Sequence, residues 1–201
     1  MKRAILHLKT ADPVMHGLIE RLGPYAISYS PANFATLVRC IVYQQLSGKV
    51  ALTIYNRLAA AVNGQQLGPE QVLRLRPSRM RAIGLSQQKI AYIRELARLC
   101  RDGKLSFEAL AALSDEEVLR ELTRIKGVGP WTVHMFLIFS LRRPDVLPTG
   151  DLGIRVAVRK AYGLPDTPTP AEVERIARPW RPYASVAVWY LWRSLGDGAG
   201  L

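Results

Sequence analysis

A glycine turn in the segment RIKGVGPWTVHMFLIFSLRRPDVLPTGD could bind phosphate. Gly127–Val128–Gly129 is followed by Pro130, a residue that favours the first position of a helix. Glycine permits a positive φ and lets another molecule approach the backbone closely. The first N–H groups of a helix lack intrahelical partners and donate readily to phosphate oxygens. The turn therefore predicts phosphate contacts at Gly127, Val128, Gly129 and Thr132, although an ordinary helix stop has the same sequence.

A lone carboxylate, Asp151, follows the loop RRPDVLPTG and stands at the start of a predicted helix over residues 151–162. A carboxylate can stabilise developing positive charge and can orient or deprotonate a water molecule. The same position suits a helix N-cap, for which aspartate is a favoured residue. From the residues alone, both interpretations of Asp151 stay open.

Helix signals recur along nearly the whole chain, and no alternating strand pattern stands out. Asp12-Pro13 predicts a helix start, and Ser114 with Glu117 predicts a capping box. We therefore expect an all-α fold. The C-terminal segment is expected to pack with the N-terminal helices. This predicts one lobe from residues 1–47 and 141–201, and a central lobe of residues 48–140 with a helical hairpin at about 114–140.

The charge of the chain is strongly positive. Its 201 residues include 28 Lys and Arg against 16 Asp and Glu, a formal net charge of +12. Such a field favours a polyanionic partner, most often nucleic acid. A basic protein that its charge merely keeps soluble is the alternative.

Few residues suit metal or disulfide chemistry. Cys40 and Cys100 lie in apolar helical patterns, which predicts buried thiols in a reducing cytoplasm rather than a disulfide. An iron–sulfur cluster needs about four cysteines, and the three histidines lack the spacing of zinc ligands. No apolar run approaches the roughly 20 residues that span a bilayer, so we expect no membrane segment.

Four motifs together resemble a known family. LTRIKGVGPWTVHMF followed by LPTGDLGIR resembles the helix-hairpin-helix, Gly/Pro-rich loop and aspartate of the HhH-GPD DNA glycosylase superfamily. CIVYQQLSGKVALTIYNRL, IGLSQQKIAYIRELA and PWRPYASVAVWYLW extend the likeness over most of the chain from about Phe34. Within the superfamily, the chain is most similar to the 3-methyladenine DNA glycosylase II branch.

The resemblance implies a two-lobed all-α fold with the active site in the cleft between the lobes. It implies no N-terminal β domain, which some members carry. It also implies a monomeric, cytoplasmic enzyme of base excision repair that acts on double-stranded DNA. Such an enzyme flips alkylated bases, 3-methyladenine and also 7-methylguanine, out of the duplex and hydrolyses the N-glycosidic bond, leaving an abasic site.

The resemblance assigns roles to particular residues. Asp151 matches the catalytic aspartate. Trp131 stands where relatives that also nick the backbone have a Schiff-base lysine, which implies a monofunctional enzyme without lyase activity. No cofactor is expected. Na⁺ or K⁺ could bind the hairpin backbone near Gly127 and Gly129, since relatives bind a monovalent cation there.

Further residues are candidates for the base pocket and for DNA contacts. The pocket candidates are Trp131, Trp189, Tyr43, Met135 and Leu152, of which Met135 and Leu152 replace tyrosines of some relatives. Trp180, Trp192 and Tyr190 are expected to pack the C-terminal lobe. Gln87 is the first candidate for the wedge that fills the vacated stack, and Gln88 is the second. Candidates for other strand contacts are Gln44, Gln45, Ser47 and Lys49, although each is also an ordinary polar residue at a helix end.

Three other functions remain open at this stage. A non-enzymatic protein could use the hairpin to bind damaged DNA, and a related glycosylase could act on oxidised or mismatched bases. A helix-turn-helix regulator would need a compact recognition helix and a dimer interface, neither of which is clear in the sequence.

Overall fold

The computed structural model describes residues 1–46, 48–62 and 66–196, and all regular elements in these ranges are helical. In chain order the helices are α1 (Lys2–Ala11), α2 (Pro13–Leu22), α3 (Phe34–Tyr43), α4 (Gly48–Ala60), α5 (Pro69–Arg74), α6 (Pro77–Ile83), α7 (Gln87–Arg101), α8 (Phe107–Ala112), α9 (Asp115–Thr123), α10 (Pro130–Phe139), α11 (Leu152–Tyr162), α12 (Pro170–Ile176) and α13 (Ala184–Ser194). A short 3₁₀ helix, Arg178–Trp180, precedes α13. The predicted all-α fold is confirmed over these ranges, where no helix is both long and apolar enough to cross a bilayer.

The chain forms two compact units. The terminal unit combines Met1–Tyr29 with Arg142–Leu201, and the central unit is Ser30–Leu141. The sequence interpretation ended the first terminal segment at residue 47, which would place α3 in the terminal lobe. The structure differs, because α3 packs against α4, α7 and α10 of the central unit. Residues 30–47 therefore belong to the central unit.

Asp12 ties together three segments of the terminal unit. Its Oδ1 accepts hydrogen bonds from the backbone N–H groups of Val14 at 2.8 Å and Met15 at 3.1 Å, which caps α2 as the sequence predicts. Its Oδ2 accepts from the Trp180 indole at 2.9 Å and from the Tyr162 hydroxyl. Tyr162 is the last residue of α11, so this buried carboxylate fixes the end of α11 against the start of α2.

The second helix of the hairpin is deeply embedded in the central unit. Val133, Phe136, Leu137 and Ile138 of α10 are all buried. A helix with apolar residues on every side needs to be enclosed by its neighbours. The first helix, α9, begins with the predicted capping box, in which Ser114 and Glu117 satisfy each other's backbone N–H groups. The turn between α9 and α10 is therefore flanked by a capped helix and by a buried one.

Both cysteines are free thiols, Cys40 buried and Cys100 partly exposed. Burial raises the pKa of Cys40 to about 12 and that of Cys100 to about 11. A thiol with so high a pKa is protonated at neutral pH and is a weak nucleophile. The two cysteines therefore contribute to packing rather than to chemistry.

Candidate active site and nucleic-acid interface

The turn between α9 and α10 requires glycine at position 127. Gly127 has a φ of +82°, in the left-handed region that side chains disfavour. The Tyr92 ring packs so closely on Gly127 that a Cβ at this position would lie 2.0 Å from a ring carbon. Val128 is buried, and its backbone N–H donates to the Ile125 carbonyl at 3.0 Å. Val128 therefore fixes the turn from inside, and its N–H is engaged with the protein rather than directed at the predicted phosphate.

Gly129 plays a different part from Gly127. Its φ is −92°, so the positive φ that the sequence interpretation allowed at this glycine is absent. It is the N-cap residue of α10, and no side chain caps the first N–H groups of this helix. A Cβ at Gly129 would meet no atom of the described residues within 4 Å. The space around this N-terminus would therefore admit another molecule.

A glutamine directly after α3 holds the hairpin through hydrogen bonds on its protein side. The side-chain nitrogen of Gln44 donates to the Gly127 carbonyl at 2.7 Å and to the Thr132 hydroxyl at 2.9 Å. Thr132 is 1% exposed, so it does not fit the phosphate contact predicted for it. The Gln44 amide nitrogen is likewise engaged with the protein rather than directed at a DNA strand. Gln44 and Thr132 thus support the turn.

The Asp151 carboxylate is held by donors from two helices of the terminal unit. It is the N-cap of α11, and its Oδ1 accepts from the Ile154 backbone N–H at 2.7 Å. The same oxygen accepts from the Trp192 indole N–H at 3.1 Å. A Cβ at Gly153 would lie 3.0 Å from this oxygen and 3.5 Å from the Trp192 ring, so glycine leaves room for the pair. Asp151 therefore is a cap, and it is also a half-buried, oriented carboxylate.

Trp192 has a role that the sequence interpretation missed. It was assigned to packing, yet its N–H orients Asp151, 41 positions earlier. Trp189 and Trp192 share one side of α13 because they are three residues apart. This three-residue spacing is the sequence feature that could have indicated a site role for Trp192.

Trp189 belongs to an aromatic cluster in the terminal unit. It is 9% exposed and makes edge-to-face contacts with Tyr25 and Tyr190, whose ring centres lie 4.8 and 4.9 Å away. The Arg193 guanidinium lies 5.8 Å from the Trp189 ring centre. Burial and a side-chain hydrogen bond with Tyr29 raise the pKa of the Tyr25 hydroxyl above its usual range. The cluster is therefore a packed, neutral aromatic group with the Arg193 guanidinium over the Trp189 ring.

The other pocket candidates differ in exposure. Trp131, at the start of α10, is half-buried, whereas Met135 one turn later is buried in the core of the central unit. Tyr43 is buried with the Arg39 guanidinium 5.1 Å from its ring centre. Leu152 is 65% exposed, although it directly follows Asp151. Exposure thus favours Trp131 and Leu152 over Met135 and Tyr43 as surfaces that a ligand could reach.

Leu46 is a further candidate for the wedge, beside the predicted Gln87 and Gln88. The Gln87 side-chain oxygen accepts from Arg81 at 2.7 Å, while Gln88 is exposed at the start of α7. Leu46 is 39% exposed and follows Gln45, whose φ of +57° turns the chain sharply after α3. Apolar side chains are the usual wedges between base steps. The sequence signal for Leu46 was its position as the one apolar residue in QQLSGK.

The remaining candidates lie near the same turn. Gln45 and Lys49 are exposed and stay candidates for strand contacts. Ser47 lies outside the described residues. Monovalent cation binding near Gly127 and Gly129 also stays a prediction, and the Gly127 carbonyl already accepts the Gln44 hydrogen bond. Among the described residues, no group of three His, Cys, Asp or Glu could hold a metal ion.

Comparison with known proteins gives consistent matches. Residues 38–182 match the family described as HhH-GPD superfamily base excision DNA repair protein. DNA-3-methyladenine glycosylase 1 of Schizosaccharomyces pombe is 36% identical over 199 residues, covering 96% of this chain and 87% of that protein. A structure of the S. pombe 3-methyladenine DNA glycosylase in complex with abasic DNA has a TM-score of 0.90 at 35% identity, covering 99% of both chains. A DNA-3-methyladenine glycosidase from Bacillus halodurans has a TM-score of 0.84 at 36% identity, covering 96% of this chain and 89% of that one.

The two hairpin glycines should respond differently to alanine. We expect Gly127→Ala to lower the free energy of unfolding by about 3 kcal/mol, because it combines a left-handed backbone with a clash against the Tyr92 ring. Gly129→Ala should change it by less than about 0.5 kcal/mol, since its φ is ordinary and the space is open. Urea titration of both variants provides the measurement. Equal losses would contradict the distinct roles of the two positions.

Proposed function

Because the chain belongs to the HhH-GPD superfamily of base excision DNA repair proteins, we propose that it is a DNA glycosylase that removes alkylated purines such as 3-methyladenine. The observation that carries the proposal is the Asp151 carboxylate, half-buried and oriented by N–H donors from Ile154 and Trp192. The glycosylase names of relatives more than 30% identical over most of the chain support the substrate class.

One carboxylate suffices for this reaction. The bond from C1′ to the base nitrogen breaks and its electron pair leaves on the base, while water adds to C1′ and gives up one proton. Positive charge develops on the deoxyribose in the transition state, as in other glycosyl transfers. A carboxylate near C1′ stabilises that charge and accepts a hydrogen bond from the attacking water. A 3- or 7-alkylated purine is already cationic and leaves as a neutral base, so it needs no general acid.

The aromatic cluster suits a cationic base. The electron-rich face of an indole attracts a cation, and stacking of a base on an aromatic ring contributes roughly 1–3 kcal/mol. Trp189 lies in the same unit as Asp151, where Tyr25 and Tyr190 fix its orientation. We therefore propose that Trp189 forms one wall of the pocket for the everted base, with its orientation fixed by its aromatic neighbours. Trp131 and Leu152 remain candidates for further pocket contacts.

The central unit supplies the proposed DNA grip. The N-terminus of α10 has open space at Gly129 and would bind a phosphate through backbone N–H groups without reading base sequence. Leu46 would fill the gap that the everted base leaves in the stack. The enzyme would act on double-stranded DNA as a monomer.

Asp151→Asn tests the catalytic assignment. We expect release of 3-methyladenine from methylated DNA to fall by at least about a thousandfold, because the amide lacks the negative charge. Asparagine is also a good N-cap, so the fold and the affinity for lesion DNA should be kept. Chromatography of the free base provides the measurement, and Asp166→Asn, at an exposed loop position, is the matched control. A protein that binds lesion DNA but releases no base, even as wild type, would be a damage-binding protein instead.

Trp192→Phe tests the orientation of the carboxylate. Loss of the indole donor should slow single-turnover base release about 10-fold, which corresponds to one lost hydrogen bond, and leave affinity for lesion DNA unchanged within about twofold. Trp180→Phe is the control, since it removes the other indole that donates to an aspartate in this unit. That variant should lose stability while each folded molecule keeps its excision rate. Equal rate losses in the two variants would contradict a specific role of Trp192.

The proposed enzyme is monofunctional. Trp131 occupies the position where lyase-active relatives have a Schiff-base lysine, so borohydride should trap no covalent adduct with abasic or lesion DNA. Denaturing gel electrophoresis provides the measurement, with a lyase-active glycosylase as the positive control. A trapped adduct would assign a lysine of this chain to the chemistry.

A further inference from the structure

Lys89 of α7 points its ammonium group into the protein rather than toward solvent. Its Nζ donates to the Val42 and Gln44 carbonyls, each at 2.7 Å. These carbonyls lie at the C-terminal end of α3, where backbone acceptors lack intrahelical partners and a positive charge is favoured. Burial lowers the pKa of Lys89, since part of its hydration is replaced by the two carbonyls. In a protein of net charge +12, this lysine is committed to the fold.

The turn that Lys89 holds is a costly one. Gln45 has a φ of +57°, a left-handed conformation that a residue with a side chain keeps only where the surrounding structure fixes it. Lys89 fixes the carbonyl of the preceding residue, Gln44. Leu46, the exposed apolar side chain, follows directly. Leu46 is thus two residues from a carbonyl that Lys89 holds.

The same turn is joined to the hairpin by two routes. The Gln44 side chain donates to the Gly127 carbonyl and to the Thr132 hydroxyl. Tyr92, one helical turn after Lys89, packs its ring on Gly127. One side of α7 therefore supports both the 44–46 turn and the hairpin.

We propose that Lys89 is a positioning residue that keeps Leu46 in register with the hairpin, so that wedge and phosphate grip engage one duplex at a fixed separation. This inference rests on the proposed glycosylase function. It assigns Lys89 to base eversion, with no part in phosphate binding or bond cleavage.

Substrates that differ in the cost of eversion test the proposal. The same alkylated base is placed in a paired duplex and in a bubble of unpaired bases, where less stacking and pairing must be broken. We expect Lys89→Met to slow single-turnover release about 10-fold from the duplex and less than threefold from the bubble. Leu46→Ala should give the same pattern, and the double variant should be no slower than the slower single variant, because both act on one step. Lys104→Met, at an exposed position in the loop after α7, should match wild type on both substrates.

Three results would overturn the assignment. Equal losses on duplex and bubble would make Lys89 a support of the fold or of the chemistry. A fall of about 0.9 in the slope of log affinity against log salt would make it a phosphate ligand. Additive losses in the double variant would show that Lys89 and Leu46 act on separate steps.

Gln44→Met removes the link to the hairpin and should reproduce the duplex-selective loss if Lys89→Met fails to fold. If wild type releases no base from either substrate, the proposed function itself fails and this inference falls with it.

Discussion

The proposed chemistry depends on one carboxylate oxygen that receives two N–H donors. Oδ1 of Asp151 is bound by the first turn of α11 and by the indole of Trp192 in α13. The two contacts together fix the orientation of the carboxylate. Gly153 favours the arrangement, because a Cβ there would lie only 3.0 Å from the Asp151 oxygen. The position of Asp151 is therefore a property of the packing of α11 against α13.

In the central unit, the two glycines of the hairpin turn have opposite surroundings. Gly127 is surrounded by the Tyr92 ring and the Gln44 amide, whereas Gly129 two residues later has open space. The turn is thus rigid on its protein side and accessible at the N-terminus of α10. Rigid presentation of N–H donors limits the entropy lost when an anion binds. A basic chain can then hold a phosphate backbone without reading its base sequence.

Local signals in the sequence predicted much of this structure, and long-range contacts explain what they did not predict. The Asp12-Pro13 start, the Ser114 capping box and the cap at Asp151 depend on neighbouring residues, so they could be read directly. The Gln44 contact with Gly127 spans 83 positions, and no periodicity encodes it. For the same reason Gln44 and Thr132 were expected to face DNA, and α3 was assigned to the wrong unit. Gly129 resembled Gly127 in sequence, although the backbone distinguishes them.

The terminal unit consists of two separate segments of the chain, so it can be completed only after the central unit has been translated. The central unit is a continuous stretch of chain, so all of it is translated before α11, α12 and α13 of the terminal unit. The terminal unit needs α13 to complete its core, and Asp12 waits for Tyr162 and Trp180. Nascent chains therefore contain the complete glycine hairpin before the Asp151 carboxylate receives its Trp192 donor. A chain that stops before α13 would keep the hairpin and lack the oriented carboxylate on which the proposed base excision depends.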